Sequence, residues 1–219
     1  MATPYLQIRE EEVPSTQDRA RAELDVLPVV VMAQRQSAGR GRSGAGWLTA
    51  PRALAVSIAL RLPDEDRRPF SLIAGVAVVR VLEQVTLKWP NDVMVSAAKV
   101  GGILVERSQE MVVGLGLNLW WPDPPEGAGA LHDADPGPEE HARIAGLWAA
   151  ELMRLIDDDG WPEEDYRASC ATLGRDITWE PEGRGTAVDV THDGELVVDV
   201  NGVRQTIASG AIRHLRPGR

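Results

Sequence analysis

The sequence predicts an α+β protein with a small antiparallel β-barrel at its C-terminal end. Three observations lead to this prediction. Residues 29–33 form an uninterrupted apolar run, which is typical of a buried strand. Residues 69–84 place apolar side chains near a 3.6-residue period, as in a packed helix. The tail alternates short strand-like segments with the dipeptides Asp193-Gly194 and Asn201-Gly202, which are strong hairpin signals.

The first half of the chain predicts three strands and two helices. Apolar or alternating runs predict the strands, at residues 5–12, 29–33 and 53–62. The first helix begins after Ser15 as its N-cap, has the acidic Asp18 in its first turn, and extends to about residue 26. The second helix has Pro69 in its first turn and extends to residue 84.

The second half predicts strand pairs followed by two helices and the tail. Residues 87–95 read as two short strands hinged at Pro90-Asn91-Asp92, which is a turn-forming sequence. The remaining predicted elements are a hairpin of residues 100–106 and 111–119, an exposed loop at 120–138, and helices at 138–156 and 162–173. We therefore predict a first domain over residues 1–173 and a second over residues 174–219.

Composition limits the classes of function. The 219 residues are 43% hydrophobic, which is enough for a core, and the formal net charge of −10 argues against DNA or an anionic membrane as partner. The single cysteine, Cys170, excludes an internal disulfide framework and fits a reducing compartment. We find neither a signal-peptide pattern nor metal-ligand spacing, so we expect a cytoplasmic protein without a metal site of its own.

A glycine-rich loop at residues 36–47 carries Arg40 and Arg42. Backbone N–H groups and guanidinium forks in such a loop can hold the oxygens of an anion. The loop lacks the Walker A spacing, and no periodic helix follows it, as a dinucleotide fingerprint requires. Since the protein as a whole is acidic, this local positive charge favours a small anionic ligand. A solvated linker is the alternative interpretation.

Only two of the 23 Lys and Arg residues are lysines, Lys88 and Lys99. Lysine is a compact point charge, whereas arginine is a broad planar fork. Two lysines close together in an arginine-rich chain therefore predict positions at which arginine cannot replace lysine. Either residue can equally be a surface lysine, and Lys99 can be the anchor of a strand end.

Five motifs in chain order resemble those of the biotin protein ligases. The matching positions are Ser15-Thr16, the G-R-G-R-x-G-R-x-W loop at Gly39 to Trp47, K-W-P-N-D at Lys88 to Asp92, K-x-x-G-I-L-x-E at Lys99 to Glu106, and G-x-G-x-N at Gly114, Gly116 and Asn118. The tail, including Gly185-Thr186-Ala187 and His214-Leu215, resembles the family's SH3-like C-terminal domain. The chain departs from the pattern at Ala45, where the family has an arginine, and at Gln17, where asparagine is usual.

The resemblance implies a fold and a reaction. The fold is a mixed, mainly antiparallel sheet with flanking helices, as in class II synthetases, followed by an SH3-like barrel. The reaction is ATP-dependent: biotin and ATP give biotinyl-5′-AMP, and biotin then passes to a lysine of a biotin carboxyl carrier protein. Mg²⁺ is implied mainly through ATP phosphates. We expect the short form without the DNA-binding domain, as a monomer or a homodimer.

The resemblance also implies roles for individual residues. It makes Lys88 and Arg42 catalytic. Biotin contacts are implied for Ser15, Thr16, Gln17, Gln36, Arg40, Gly41, Arg42, Lys88, Gly101 and Gly102. ATP contacts are implied for Arg40, Arg42, Trp47, Lys88, Asn91 and Asn118.

The loop arginines have no evident partner before an anion arrives, so we expect the ligand-free loop to be mobile.

Two other functions remain open at the level of sequence. Ala45, in place of an arginine, allows a non-catalytic or weakly active protein that binds biotin or biotinyl-AMP. A lipoate or octanoyl transferase on the related fold is the second alternative. The intact Lys88 to Asp92 motif and the barrel-like tail argue against it.

Overall fold

The computed structural model describes residues 3–44, 46–158, 160–181, 183–208 and 212–214. Within them the predicted α+β architecture is confirmed, with a seven-stranded mixed sheet, four α-helices and a second, five-stranded sheet. Ala45 and Leu215, which the motif comparison singles out, lie outside the described residues. No helix in these ranges is long and apolar enough to cross a membrane.

The large sheet is mixed but mainly antiparallel. Its strands are β1 (Leu6–Val13), β2 (Val29–Gln36), β3 (Arg52–Leu60), β4 (Thr86–Lys88), β5 (Asp92–Val95), β6 (Ala98–Arg107) and β7 (Met111–Trp120). They lie in the order β1-β2-β3-β7-β6-β5-β4. Only the β1–β2 pair is parallel among the described strands, because a helix connects these two strands.

Helices cover both faces of this sheet. They are α1 (Thr16–Glu23), α2 (Phe70–Val81), α3 (Glu140–Asp157) and α4 (Glu163–Ser169). Helix α2 is apolar almost all round because it lies between the sheet and α3, where the Trp148 indole N–H donates to the carbonyl of Ala74 at 3.1 Å. On the opposite face, Ala20 of α1 packs against Val31 and Val112.

Three helices end earlier than the sequence predicts. Helix α1 ends at Glu23 rather than near residue 26, since Leu24 is extended and residues 25–27 form bends. Helix α2 ends at Val81 rather than at residue 84, since Leu82 also leaves the helical region. Helix α4 ends at Ser169, and the following residues form turns.

The tail folds as a purely antiparallel sheet. Its strands are β8 (Asp176–Trp179), β9 (Gly183–Val190), β10 (Leu196–Val200), β11 (Val203–Ile207) and β12 (Ile212–His214), in the order β11-β10-β9-β8-β12. The Asn201-Gly202 turn has both residues at positive φ, as a tight hairpin turn requires. Strand β12 has no counterpart among the sequence predictions. The domain boundary after residue 173 remains a prediction.

We expect Gly101→Ala to lower the free energy of unfolding by about 1–3 kcal/mol, as overpacking typically does. A Cβ atom at this position would lie 2.3 Å from Leu117 Cδ2 and 2.7 Å from the carbonyl oxygen of Gly116, and backbone cannot move aside cheaply. Urea denaturation measures the change. The control is Gly146→Ala in α3, where an added Cβ would have no heavy atom within 4 Å apart from its chain neighbours and the backbone of its own helix. That variant should be neutral or more stable by up to about 1 kcal/mol. Equal stability of Gly101→Ala and the wild type would contradict the packing argument.

Candidate active site

A cavity of about 590 Å³ lies between the N-terminus of α1, the glycine-rich loop and the middle of the central strands β3, β6 and β7. This volume suits a small-molecule site. The residues of its wall are Ser15, Thr16, Gln17, Gln36, Arg40, Gly41, Arg42, Gly46, Trp47, Ser57, Lys88, Trp89, Pro90, Asn91, Asp92, Lys99, Gly102, Ile103, Leu104, Gly114, Leu115, Gly116 and Ile212.

The structure brings most of the sequence-predicted site residues into this wall, but not Gly101 or Asn118. Successive residues of a strand face opposite sides of the sheet, so Gly102 faces the cavity and Gly101 faces Leu117. Asn118 is buried, and its amide Nδ2 donates to the carbonyl of Gly129 at 3.1 Å. Its Oδ1 has no hydrogen-bond partner among the described residues.

A buried polar corner forms where α1 meets β2 and β3. Ser15 is the N-cap of α1, and Thr16 donates its backbone N–H to Gln36 Oε1 at 2.8 Å. The hydroxyl oxygens of Thr16 and Ser57 lie 2.8 Å apart. Ser57 was missed by the sequence reading, although a single hydroxyl within the apolar run of residues 53–60 was its signal. These hydrogen bonds hold the polar groups in place before any ligand binds.

Gln17 extends this corner toward the centre of the sheet. Its amide Nε2 donates to the carbonyl of Leu104 at 2.8 Å. Gly114 makes room for the longer side chain, since a Cβ there would lie 2.9 Å from Gln17 Nε2. The Oε1 atom of Gln17 is buried and unpaired within the described part of the chain. An N–H donor of a ligand can therefore satisfy it.

Two lysines share one carboxylate on the opposite side of the cavity. Lys99 Nζ lies 2.5 Å from Asp92 Oδ1, and Lys88 Nζ lies 3.9 Å from Asp92 Oδ2. Asp92 is the only carboxylate among the described residues of the wall, so this cluster has an excess positive charge. Lys99 lies in the cavity wall and at the start of β6, so both interpretations of this residue fit the structure. A negative charge, on a bound ligand or in a transition state, is stabilised beside this positively charged cluster.

The turn after Lys88 is fixed from several directions. Trp89 is a core residue, with its backbone N–H donating to Thr172 Oγ1 at 3.0 Å and its indole N–H to the carbonyl of Gly194 at 3.0 Å. Asn91 Nδ2 donates to the carbonyl of Ile103 at 2.8 Å. These bonds hold the chain between β4 and β5 in one conformation.

The indole of Trp47 packs on the bare backbone of β6 and β7. Cβ atoms on Gly102 and Gly116 would lie 3.3 Å and 3.1 Å from its ring. Lys99 Nζ lies 5.9 Å from the centre of the same ring, within cation–π range. The glycines of the motifs therefore allow the loop's tryptophan to form part of the cavity wall.

Both loop arginines have partners, which corrects the expectation that they have none. Arg40 donates from Nη1 and Nη2 to the two oxygens of Asp18, each at 2.7 Å, and Arg42 donates to Asn91 Oδ1 at 3.4 Å. The hydrogen bonds from Arg40 lower the pKa of the Asp18 carboxyl. The pairing follows from the position of Asp18, since the first turn of α1 faces the loop. Arg40 is thus held at the cavity rim.

We expect Asp18→Asn to release the loop in the ligand-free protein. Exposed ion pairs contribute about 0.2–1 kcal/mol, so tryptic cleavage after Arg40 should become faster by up to about fivefold. Timed digestion with mass spectrometry measures the rate. Asp25→Asn is the control, because the structure uses the backbone carbonyl of Asp25, rather than its side chain, as a partner of Arg61. Unchanged cleavage in Asp18→Asn would show that this ion pair does not hold the loop.

Fold and cavity together define a class of protein. The class is an α+β protein whose central sheet carries a cavity of small-molecule size, lined by a buried polar corner and by a cluster of two lysines around one carboxylate. Residues 11–118 match the Biotin/lipoate A/B protein ligase family. This match includes the polar corner, the loop and the lysine cluster.

Individual relatives agree with this match. The biotin–[acetyl-CoA-carboxylase] ligase of Mycobacterium tuberculosis is 34% identical, over 90% of this chain and 83% of that protein. The ligase of the same name from Paracoccus denitrificans is 26% identical, over 83% of this chain and 88% of that protein. A solved structure of the biotin protein ligase from Aquifex aeolicus in complex with biotin and ATP superposes with a TM-score of 0.81 and 27% identity, covering 96% of this chain and 99% of that one. The chain therefore belongs to the biotin protein ligases, which are enzymes, and the resemblance seen in the sequence is confirmed.

Proposed function

We propose that this chain forms biotinyl-5′-AMP from biotin and ATP and then transfers biotin to a lysine of a biotin carboxyl carrier protein. The observation that carries the proposal is the cavity with its two different ends. One end is the buried polar corner at Thr16 and Ser57, and the other is the cluster of Lys88, Asp92 and Lys99. The complex of the Aquifex aeolicus ligase with biotin and ATP supports the same pair of ligands.

The polar corner is the proposed site of the ureido ring of biotin. A cyclic urea has one carbonyl acceptor and two N–H donors, and the corner offers partners of both kinds. The hydroxyl of Ser15 can donate to the carbonyl, and the unpaired Oε1 of Gln17 can accept from an N–H. Leaving a buried acceptor unpaired costs about 1–3 kcal/mol, so a ligand that pairs it gains affinity.

The lysine cluster is the proposed site of the first chemical step. A carboxylate oxygen of biotin attacks the α-phosphorus of ATP, an O–P bond forms, and the bond from that phosphorus to pyrophosphate breaks. Both reactants are anions, so the protein supplies positive charge and positioning rather than a nucleophile. Lys88 and Lys99 in the cavity wall can supply this charge, and Arg42 can add a third cation from the loop.

The loop is proposed to close over the adenylate. A mixed anhydride hydrolyses if water reaches it, and a closed loop excludes water. Arg40 is held by Asp18 before ligand binds and can exchange this carboxylate for a phosphate. In the second step the amine of the carrier lysine attacks the anhydride carbonyl, and AMP leaves.

The nucleotide contacts stay proposals. Trp47 and Asn91 lie in the cavity wall. Asn118 lies outside this wall and its Oδ1 is buried without a described partner, so its proposed contact with the adenine amino group requires this atom to become exposed. Mg²⁺ enters only as an ion bound to the phosphates of ATP. The described residues include no group of three or more His, Cys, Asp or Glu placed to hold a metal. A cytoplasmic location, where ATP is available, belongs to the same proposal.

Pyrophosphate release tests this proposal. The assay compares ATP with biotin, ATP with lipoate, and ATP alone. We expect release only with biotin. Equal release with lipoate would favour the lipoate-ligase alternative. Calorimetric binding of biotin without pyrophosphate release would favour a non-catalytic binding protein, the reading that rests on Ala45.

A further inference from the structure

The C-terminal sheet reaches the candidate active site. Ile212 of β12 is part of the cavity wall, and His214 lies two residues further along the same strand. Strand β12 is held by antiparallel pairing with β8, where Ile212 lies opposite Trp179 and His214 opposite Ile177. The last described strand of the chain is therefore positioned against the site by its own sheet.

A short series of hydrogen bonds connects His214 with the lysine cluster. His214 Nε2 lies 3.1 Å from Thr172 Oγ1, and this oxygen accepts the backbone N–H of Trp89 at 3.0 Å. Trp89 directly follows Lys88 in the chain. The backbone N–H of Ala171 also donates to the carbonyl of Leu87 at 2.7 Å, so residues on both sides of Lys88 are held by this segment.

We propose that His214 is a positioning residue for the adenylation step: through Thr172 it fixes the backbone of Trp89, and with it the direction of the Lys88 side chain. The inference rests on the proposed function and deepens it, because it makes the C-terminal sheet a part of the reacting site. Thr172 is completely buried, so its hydroxyl depends on these two partners. A threonine oxygen can accept the N–H of Trp89 while its own hydrogen points to a neutral imidazole nitrogen.

Burial and the charges around His214 favour its neutral imidazole, which can accept the hydrogen bond from the Thr172 hydroxyl. Partial burial lowers the pKa of His214, the nearby Lys88 and Arg175 lower it further, and Asp92 opposes them. The ring is therefore neutral at pH 7 and becomes protonated only as the pH falls below the ordinary histidine value of about 6.5. Protonation removes the acceptor that faces Thr172 and adds a positive charge beside Lys88. The rate of adenylation should therefore decline as the pH falls below this value and His214 becomes protonated.

Three variants test the proposal by pyrophosphate release between about pH 5 and 8. His214→Ala leaves a buried hydroxyl short of one partner, so we expect kcat to fall about tenfold while the KM for biotin changes little. His214→Gln should restore most of kcat, because its amide can replace the imidazole nitrogen, and it should lose the acidic decline because an amide does not titrate. His192→Gln is the control, since His192 is an exposed residue of the same C-terminal segment that pairs with Glu163.

The outcomes separate the two claims. A wild-type chain that releases no pyrophosphate with biotin overturns the proposed function, and the inference with it. Wild-type kcat and an unchanged pH profile in His214→Ala overturn the inference alone. A loss of kcat that His214→Gln does not restore, with a lower melting temperature in both variants, also overturns it, because His214 would then only support folding.

Discussion

Lys99→Met should lower biotin-dependent pyrophosphate release by a factor on the order of 10²–10³, the usual cost of removing one charge that stabilises a transition state. The Lys99 ammonium lies 2.5 Å from Asp92 Oδ1 in the cavity wall, and its removal leaves this carboxylate facing the reacting anions with Lys88 alone. Methionine keeps the unbranched stem, so the packing beside Trp47 changes little. Steady-state kinetics with saturating biotin and ATP give the value.

The matched control for Lys99→Met is Arg35→Gln. Arg35 is exposed on β2, pairs with Glu12 and lies outside the cavity wall, so its replacement removes the same charge from the protein but not from the site. We expect wild-type kinetics from it. Lys99→Met with more than about a tenth of wild-type release would show that Lys99 only anchors its strand, since loss of a transition-state contact costs more than that.

Lys88→Arg should lower the same rate by a factor on the order of 10², although the charge is kept. Lys88 Nζ lies 3.9 Å from Asp92 in a wall that also holds Lys99, and a planar guanidinium is wider and presents its donors in a fixed fork. The same reasoning explains why an arginine-rich chain keeps lysine here. Pyrophosphate release and the KM for biotin, measured together, separate a lost transition-state contact from weaker binding.

Lys88→Met completes the comparison. If the point charge matters, Lys88→Arg and Lys88→Met should be impaired to a similar extent. Retention of more than about a tenth of the wild-type rate by Lys88→Arg, with Lys88→Met inactive, would mean that any cation serves at this position.

Much of the fold could be predicted from local sequence signals. The order of strands and helices, the hairpin of β6 and β7 and the tail's antiparallel sheet all follow from periodicity and turn dipeptides, which act over a few residues. Helix ends were less accurate, since Leu24 and Leu82 leave the helix without a strong stop signal. The candidate site was predicted mainly by motif resemblance, and the structure gathers most of those residues into one cavity.

The rest depends on contacts between distant parts of the chain. The pairing of Arg40 with Asp18 joins a loop to a helix, and no periodicity in the sequence indicates it. Ser57 is visible in the sequence only as a polar residue in an apolar run, and its role depends on the facing Thr16. The bond between His214 and Thr172 connects residues 42 positions apart in the sequence. Local patterns cannot specify such partners.

Transfer of biotin to a carrier tests the central claim most directly. The chain is incubated with biotin, ATP, Mg²⁺ and a purified biotin carboxyl carrier domain, and the carrier is analysed by intact-mass and peptide mass spectrometry. A carrier with its target lysine replaced by arginine is the control. We expect one biotinyl group on the target lysine, dependent on both biotin and ATP, and none on the control. An unmodified carrier, under conditions where an established biotin ligase modifies it, would contradict the account.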